Sequence, residues 1–247
     1  MAPCWHRALA SPRLGADFTG GTGVAIEKRR TTADEAVAGI TDGSTVMLSG
    51  FAGAGFANKL VAALRDLGPR DLTLVVNSAT HRLSNTHELI AAGQVRKVIC
   101  SAARGHDKSA LSAFELLYRE GRIELEVLPQ GTFVESIRAA GAGIPAYFTP
   151  TGFGTDLAAG KETRSFGGRD YVLEQAIAGD TALIRADTAD RWGNLTFRHA
   201  QQNFGPAMAI ASKLVVAEVR AFSDSPIPPG QVQLSGVFVD RIFVAGG

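Results

Sequence analysis

Short, continuously apolar runs constrain this chain more than any other feature. Thr45-Val46-Met47-Leu48, Leu72-Thr73-Leu74-Val75-Val76, Ala182-Leu183-Ile184 and Leu214-Val215-Val216 are all strand-sized, and their apolar character does not alternate. A strand with one wet face alternates polar and apolar residues; one without alternation is covered on both faces. Helical spacing fills the stretches between. Thr32-Ala33-Asp34-Glu35 has the pattern of a capping box ahead of Ala36, Val37 and Ile40, and Asp42-Gly43 stops that helix. Leu60, Val61, Leu64 and Leu67 keep a helical interval until Gly68-Pro69. Val95 to Cys100 reads as a strand, Ala110 to Tyr118 as a helix, and Ile123 to Leu128 as a strand again. The alternation predicts an α/β protein with a mostly parallel sheet flanked by helices on both faces.

Beyond Phe148 the chain is richer in glycine, with Val237 to Val244 expected as a last strand. There is no internal repeat and no linker, so residues 31–247 are expected to form a single domain. Residues 1–30 have no hydrophobic period and contain Gly20-Gly21-Thr22-Gly23. They read as a disordered N-terminal extension. Arg7 and Arg13 stand in an acid-poor stretch there, but the apolar block of a secretory signal is missing.

Composition excludes several functions. Lysine and arginine number 25 against 24 acidic residues, which leaves no field to attract nucleic acid or an anionic membrane. No apolar run reaches the roughly 20 residues that span a bilayer, so a cytoplasmic location is expected. Cys4 and Cys100 are the only cysteines, too few for a disulfide framework. His6, His81, His87, His106 and His199 form no metal-ligand spacing, and no metal is expected. The excess lies in glycine, and the glycines are clustered.

Ser49, Gly50, Phe51, Ala52, Gly53, Ala54 and Gly55 stand between a strand and a helix. Small residues there let backbone amides approach a ligand, and the helix N-terminus behind them favours an anion such as phosphate. A tight turn without a ligand is an equal reading, since the spacing is neither GxGxxG nor a Walker loop. Pro129-Gln130-Gly131-Thr132 ends a strand, where ligands of parallel sheets sit. Gln130 there is either an oxyanion donor or a turn residue bonded to loop backbone. The stretches 138–145 and 149–155 are glycine-punctuated and nearly chargeless, as pocket linings or subunit contacts are. There is no GxSxG elbow and no Cys/His pair. Glu135, Glu162, Glu174 and Glu218 read as solvated or salt-bridged helix residues, and none stands out as a nucleophile.

With these motifs in view, the chain resembles the alpha (A) subunit of family I CoA transferases from about Thr31 to Val244. The likeness is carried by the glycine loop at 49–55, by Pro-Gln-Gly-Thr at 129–132, and by the runs at 138–143 and 149–155. Lys161-Glu162, Tyr171-Val172-Leu173-Glu174, Gly193-Asn194-Leu195 and Asn203-Phe204 fall in place as well. Segments 96–101, 115–126 and 191–196 are most similar to those A subunits that act on 3-oxoadipate. Departures from the pattern are Phe56-Ala57, Asn77-Ser78 and Asn203-Phe204-Gly205-Pro206.

The resemblance implies a subunit that transfers CoA from succinyl-CoA to 3-oxoadipate in aromatic catabolism, active only in a heteromer with a B subunit. The B subunit would carry the glutamate that forms the glutamyl-CoA intermediate, with CoA thioester as substrate and no permanently bound cofactor. It places loop 49–55 near CoA and Gln130 beside the reacting carbonyl. Arg104, after a strand, becomes the candidate for the distal carboxylate of the acceptor. Acetoacetate or another short 3-oxo acid as acceptor, or a regulatory protein that binds CoA or a nucleotide without catalysis, are the alternatives.

Overall fold

In the computed structural model, residues 27–105 and 110–246 are described. The main sheet is built from β1 (Arg29–Arg30), β2 (Thr45–Leu48), β3 (Leu72–Val76), β4 (Val95–Cys100) and β5 (Glu124–Val127), with β9 (Gly179–Asp190), β10 (Leu195–Thr196), β11 (Ser212–Ser223) and β12 (Arg241–Val244). The strand order is β1-β12-β11-β9-β2-β3-β4-β5, with β10 paired to β9. Every pairing along that path is parallel, and only β10 runs antiparallel. The helices are α1 (Ala33–Val37), α2 (Asn58–Leu67), α3 (Thr86–Ala91), α4 (Ala113–Arg119), α5 (Gln130–Gly141) and α6 (Gly205–Ile210).

Helices cover both faces, as the non-alternating strands require. On one face Val46, Leu48, Leu72, Leu74, Val76 and Val98 meet Val37, Leu60, Leu64, Leu89 and Phe114 from α1 to α4. On the other, Met47, Val75, Ile99, Ala182 and Ile184 meet Phe133, Ile137, Met208 and Ala209 from α5 and α6. Burying each such aliphatic or aromatic side chain is worth about 1.5–3 kcal/mol. Local signals agree with this packing. Thr32 and Glu35 close the capping box of α1, and Gly68, at φ 83°, ends α2 with its amide on Leu64 O.

Three expectations are corrected, and one sheet is new. The extension does not run to residue 30, because Arg29 and Arg30 form β1 against Ile242 and Phe243; residues 1–26 lie outside the described residues. The stretch around Arg138 is not a loop but the end of α5, whose Phe133, Ile137 and Ala140 face the core at helical spacing. The last strand is only β12, since 236–238 form a single 3-10 turn and Val237 is exposed. An unforeseen second sheet comprises β6 (Ala146–Thr149), β7 (Thr163–Phe166) and β8 (Arg169–Gln175), antiparallel in the order β6-β8-β7. β7 is exposed throughout, β6 is half-buried and only β8 alternates, so none has the continuous apolar signature.

At the end of β9, Asp190 is fully buried. It accepts from Trp192 N (3.0 Å), Asn194 N (3.0 Å), Asn194 Nδ2 (2.9 Å) and Ile227 N (3.0 Å). Burial pushes its carboxyl up, but the bonds from Asn194, Ile227 and Trp192 outweigh that and hold it below its ordinary value. A depressed carboxyl stabilises the fold above its unfolded pKa of about 3.9, and the contribution is lost as pH falls through the lower folded value. Asp190→Asn is therefore expected to be less stable at neutral pH, with a smaller further loss toward about pH 3. Thermal melts of both proteins across that range check this.

Candidate active site

The sheet reverses its winding between β2 and β9. From β2 the chain builds outward through β3, β4 and β5, and from β9 it builds the other way through β11 and β12. Such a reversal opens a crevice outside the carboxyl ends of the two strands. Loop 49–55 leaves β2 at that point.

The loop is a closed reverse turn. Phe51 and Ala54 exchange both backbone hydrogen bonds, each 2.9 Å. Ala52 and Gly53 between them have φ of 49° and 90°, the positive pair of a type I′ turn. Ser49 ties the base of the loop, donating to Gly55 O at 2.6 Å and accepting from Arg185 N at 3.1 Å. Asn203 clamps it from the side: its Oδ1 accepts from Gly50 N at 3.1 Å and its Nδ2 donates to Ala54 O at 3.2 Å. The tip, from Phe51 to Gly53, is exposed.

The anion site expected at the start of α2 is already filled from inside. Glu218, buried on β11, accepts from Lys59 N at 2.9 Å and Leu60 N at 3.0 Å, and pairs with Arg185 Nη1 at 2.6 Å. Burial pushes its carboxyl up, against the lowering effect of Leu60 N and Arg185. The protein's own carboxylate thus takes the place proposed for a phosphate. Of the loop's amides, those of Gly50, Phe51 and Ala54 are also engaged. What the loop offers outward is its tip.

Gln130 stands at the same edge of the sheet, as the first residue of α5 after β5. Its Nε2 donates to Asn77 Oδ1 at 2.8 Å. Asn77 directly follows β3, and the same Oδ1 lies 2.8 Å from Ser101 Oγ, just after β4. Three successive strand ends therefore bring one amide, one hydroxyl and a second amide together. A small recess beside them is lined by Ser49, Gly50, Phe56, Asn77, Ser78 and His81, so the glycine loop and the Gln130 cluster border one crevice. Apart from His81, the side chains that line it carry no charge. A wider groove of about 460 Å³ opens elsewhere, between β8 and the main sheet, where Thr45 and Thr73 near the starts of β2 and β3 line it.

Arg104 is exposed, four residues beyond β4. Its carbonyl is held by Thr80 Oγ1 at 2.7 Å, and its charge acts on Glu115. The four glutamates are ion-paired, as read, but only Glu135 is helical. Glu135 pairs with Arg138, Glu162 with Arg164, Glu174 with Lys161 and Glu218 with Arg185. Sequence reasoning missed Asn77 and Ser101 as neighbours of Gln130, and Asn203 as the loop clamp. The only available signal was their position, at strand ends or in a matched motif.

The sequence matches the family described as Coenzyme A transferase over residues 30–245. The chain belongs to the coenzyme A transferase family. Among its relatives in the family, the A subunit of the 3-oxoadipate CoA-transferase of Pseudomonas putida is 48% identical, over 90% of this chain and 95% of that protein. The A subunit of the succinyl-CoA:3-ketoacid coenzyme A transferase of Xanthomonas campestris is 45% identical, over 87% of this chain and 88% of that protein. The acyl-CoA transferase YdiF of Escherichia coli, 23% identical, shares the fold with a TM-score of 0.78, covering 91% of this chain and 48% of that one. The mostly parallel, two-faced sheet of this coenzyme A transferase chain is thus the fold expected from its strand pattern.

Proposed function

We propose that this chain is the A subunit of a heteromeric enzyme that moves CoA from succinyl-CoA to 3-oxoadipate. The observation that carries the reading is the 48% identity to the A subunit of a 3-oxoadipate CoA-transferase, over nearly the full length of both proteins. The chemistry of the crevice is consistent with it: amides and hydroxyls gather around Asn77, and the reaction needs a carboxylate nucleophile from a second subunit. Ile144, Phe153 and Leu157, exposed on and beside the glycine-punctuated stretches, suit a surface covered by such a partner.

In this reading the partner's glutamate attacks the succinyl-CoA carbonyl, the C–S bond breaks, and CoA thiolate leaves a mixed anhydride. The thiolate then attacks the glutamyl carbonyl and releases succinate, giving a glutamyl-CoA thioester. 3-Oxoadipate carboxylate then attacks the glutamyl-CoA carbonyl and displaces CoA thiolate. The thiolate attacks the 3-oxoadipyl carbonyl of that second anhydride, forming 3-oxoadipyl-CoA and releasing the glutamate. Splitting the exchange keeps the thioester energy in covalent form at each stage. Gln130 donates to the oxyanion that develops at these carbonyls, and residues Ser49, Gly50, Phe51, Ala52, Gly53, Ala54 and Gly55 meet the CoA side through the loop's exposed tip. Arg104 receives the distal carboxylate of the acceptor.

The test is purification of the chain alone and with the glutamate-bearing subunit, followed by thioester exchange with a panel of acceptors. The pair is expected to exchange CoA with 3-oxoadipate faster than with acetoacetate, and the chain alone is expected not to exchange it. Full activity of the chain alone would overturn the division of roles. Preference for acetoacetate would transfer the assignment to the 3-ketoacid enzymes, the reading that the Xanthomonas relative favours. In the same assay Arg104→Ala is expected to raise the KM for 3-oxoadipate about tenfold and leave that for succinyl-CoA unchanged; an unchanged acceptor KM removes Arg104 from the site.

A further inference from the structure

We infer that Asn77 is a positioning residue, which holds the carboxamide of Gln130 so that one of its N–H groups faces the reacting carbonyl. The inference rests on the reading of Gln130 as an oxyanion donor and adds the group that makes it one. Gln130 is exposed and begins a helix with no side-chain cap, so nothing in its own element restrains its three side-chain torsions. Asn77 is the opposite case. It is buried, and its carbonyl accepts from Ser101 N and Ala102 N, both at 3.1 Å. Its Oδ1 accepts from Ser101 Oγ at 2.8 Å and from Gln130 Nε2 at 2.8 Å.

Two consequences follow from these contacts. An acceptor at Asn77 Oδ1 sets the sense of the Gln130 amide, because the flipped amide would set two carbonyl oxygens against each other. One N–H of Gln130 is then committed to Asn77 and the other is left to donate, held in direction by a rigid strand end. Oxyanion donors are effective when their orientation precedes the reaction, and a long side chain free to rotate loses that advantage. Ser101 completes the arrangement by holding Asn77 from the neighbouring strand end.

The test is a double-mutant cycle in the assembled pair of subunits. Gln130→Ala is expected to lower kcat by about a hundredfold, the usual effect of removing an oxyanion donor. Asn77→Ala is expected to lower kcat about tenfold with the KM of both substrates within about twofold, because orientation is lost and binding is not. The double variant is expected to be no slower than Gln130→Ala alone, since Asn77 has no further partner to orient. An additive double variant, slower than Gln130→Ala by the full factor of Asn77→Ala, would show that Asn77 acts independently and overturn the inference. So would an Asn77→Ala enzyme with unchanged kcat. Gln130→Ala with unchanged kcat overturns the oxyanion reading itself, and the positioning role with it. Should the alanine variant fail to fold, Asn77→Ser carries the same cycle. Its hydroxyl remains beside Ser101 but is one bond too short to reach Gln130.

Discussion

Glu218→Gln is expected to destabilise the protein by about 3 to 5 kcal/mol, a fall in melting temperature on the order of 10 °C for a chain of this size. Glutamine keeps the shape but turns one oxygen into a donor. That donor faces a site where Lys59 N, Leu60 N and Arg185 all donate. Arg185 keeps its charge and loses its counter-charge. Because Lys59 N and Leu60 N share one oxygen, the new NH2 either faces the Arg185 guanidinium or leaves both amides without an acceptor. Removing both charges with Arg185→Met and Glu218→Leu is expected to recover only part of the loss. An ion pair alone can be replaced by apolar side chains at little cost, but the α2 cap cannot. Differential scanning calorimetry of the three proteins decides it. If Glu218→Gln melts with the parent, the buried carboxylate is not what holds α2 to β11.

The second large effect is expected at Gly55. Its φ is +80°, and an added Cβ would stand well inside contact distance of Asn203 Nδ2 and 2.6 Å from the carbonyl oxygen of Gln201. The first atom could swing away; the second is backbone and could not. Gly55→Ala must therefore expel the Asn203 side chain, freeing Gly50 N and Ala54 O, as well as strain its own backbone. A loss of about 3 kcal/mol is expected, with a rise in KM for the acyl-CoA of about tenfold or more as the tip shifts. Gly53→Ala is the control. Its φ of +90° imposes similar strain, but its Cβ would meet only Leu83 Cδ1, at 3.5 Å. The difference between the two variants, in melts and in KM, isolates the clamp. Equal effects would mean that strain alone matters and that Asn203 holds nothing.

The loop shows how far local sequence reaches. Its six small residues around Phe51 marked it as a place of close approach, and the structure puts it at the reversal of the sheet. The anion-binding reading of α2 failed for a reason that no local pattern carries. The acceptor for the helix amides, Glu218, lies 158 residues from Leu60. It is brought there by the pairing of β11 with β9 and of β9 with β2. The clamp from Asn203 spans 153 residues to Gly50. In the same way, α5 is hidden in the sequence, because Pro129 to Thr132 has the composition of a turn and Gly131 and Gly141 sit at its two ends. What makes it a helix is burial of Phe133 and Ile137 against the sheet, which overrides propensity.

By itself, the sequence determined the α/β class, most of the strands and the caps of the first two helices, because each depends on neighbours within one or two turns. It also carried the family, through motifs kept in order along the chain. Only the tertiary structure decided which groups share the crevice. Asn77, Ser101 and Gln130 meet because parallel strands end side by side, and a carboxylate rather than a ligand caps α2 because β11 lies behind it. Contacts of that range are set by strand order and register, which apolar patterning leaves open: continuously apolar strands fit a sheet in more than one sequence of neighbours.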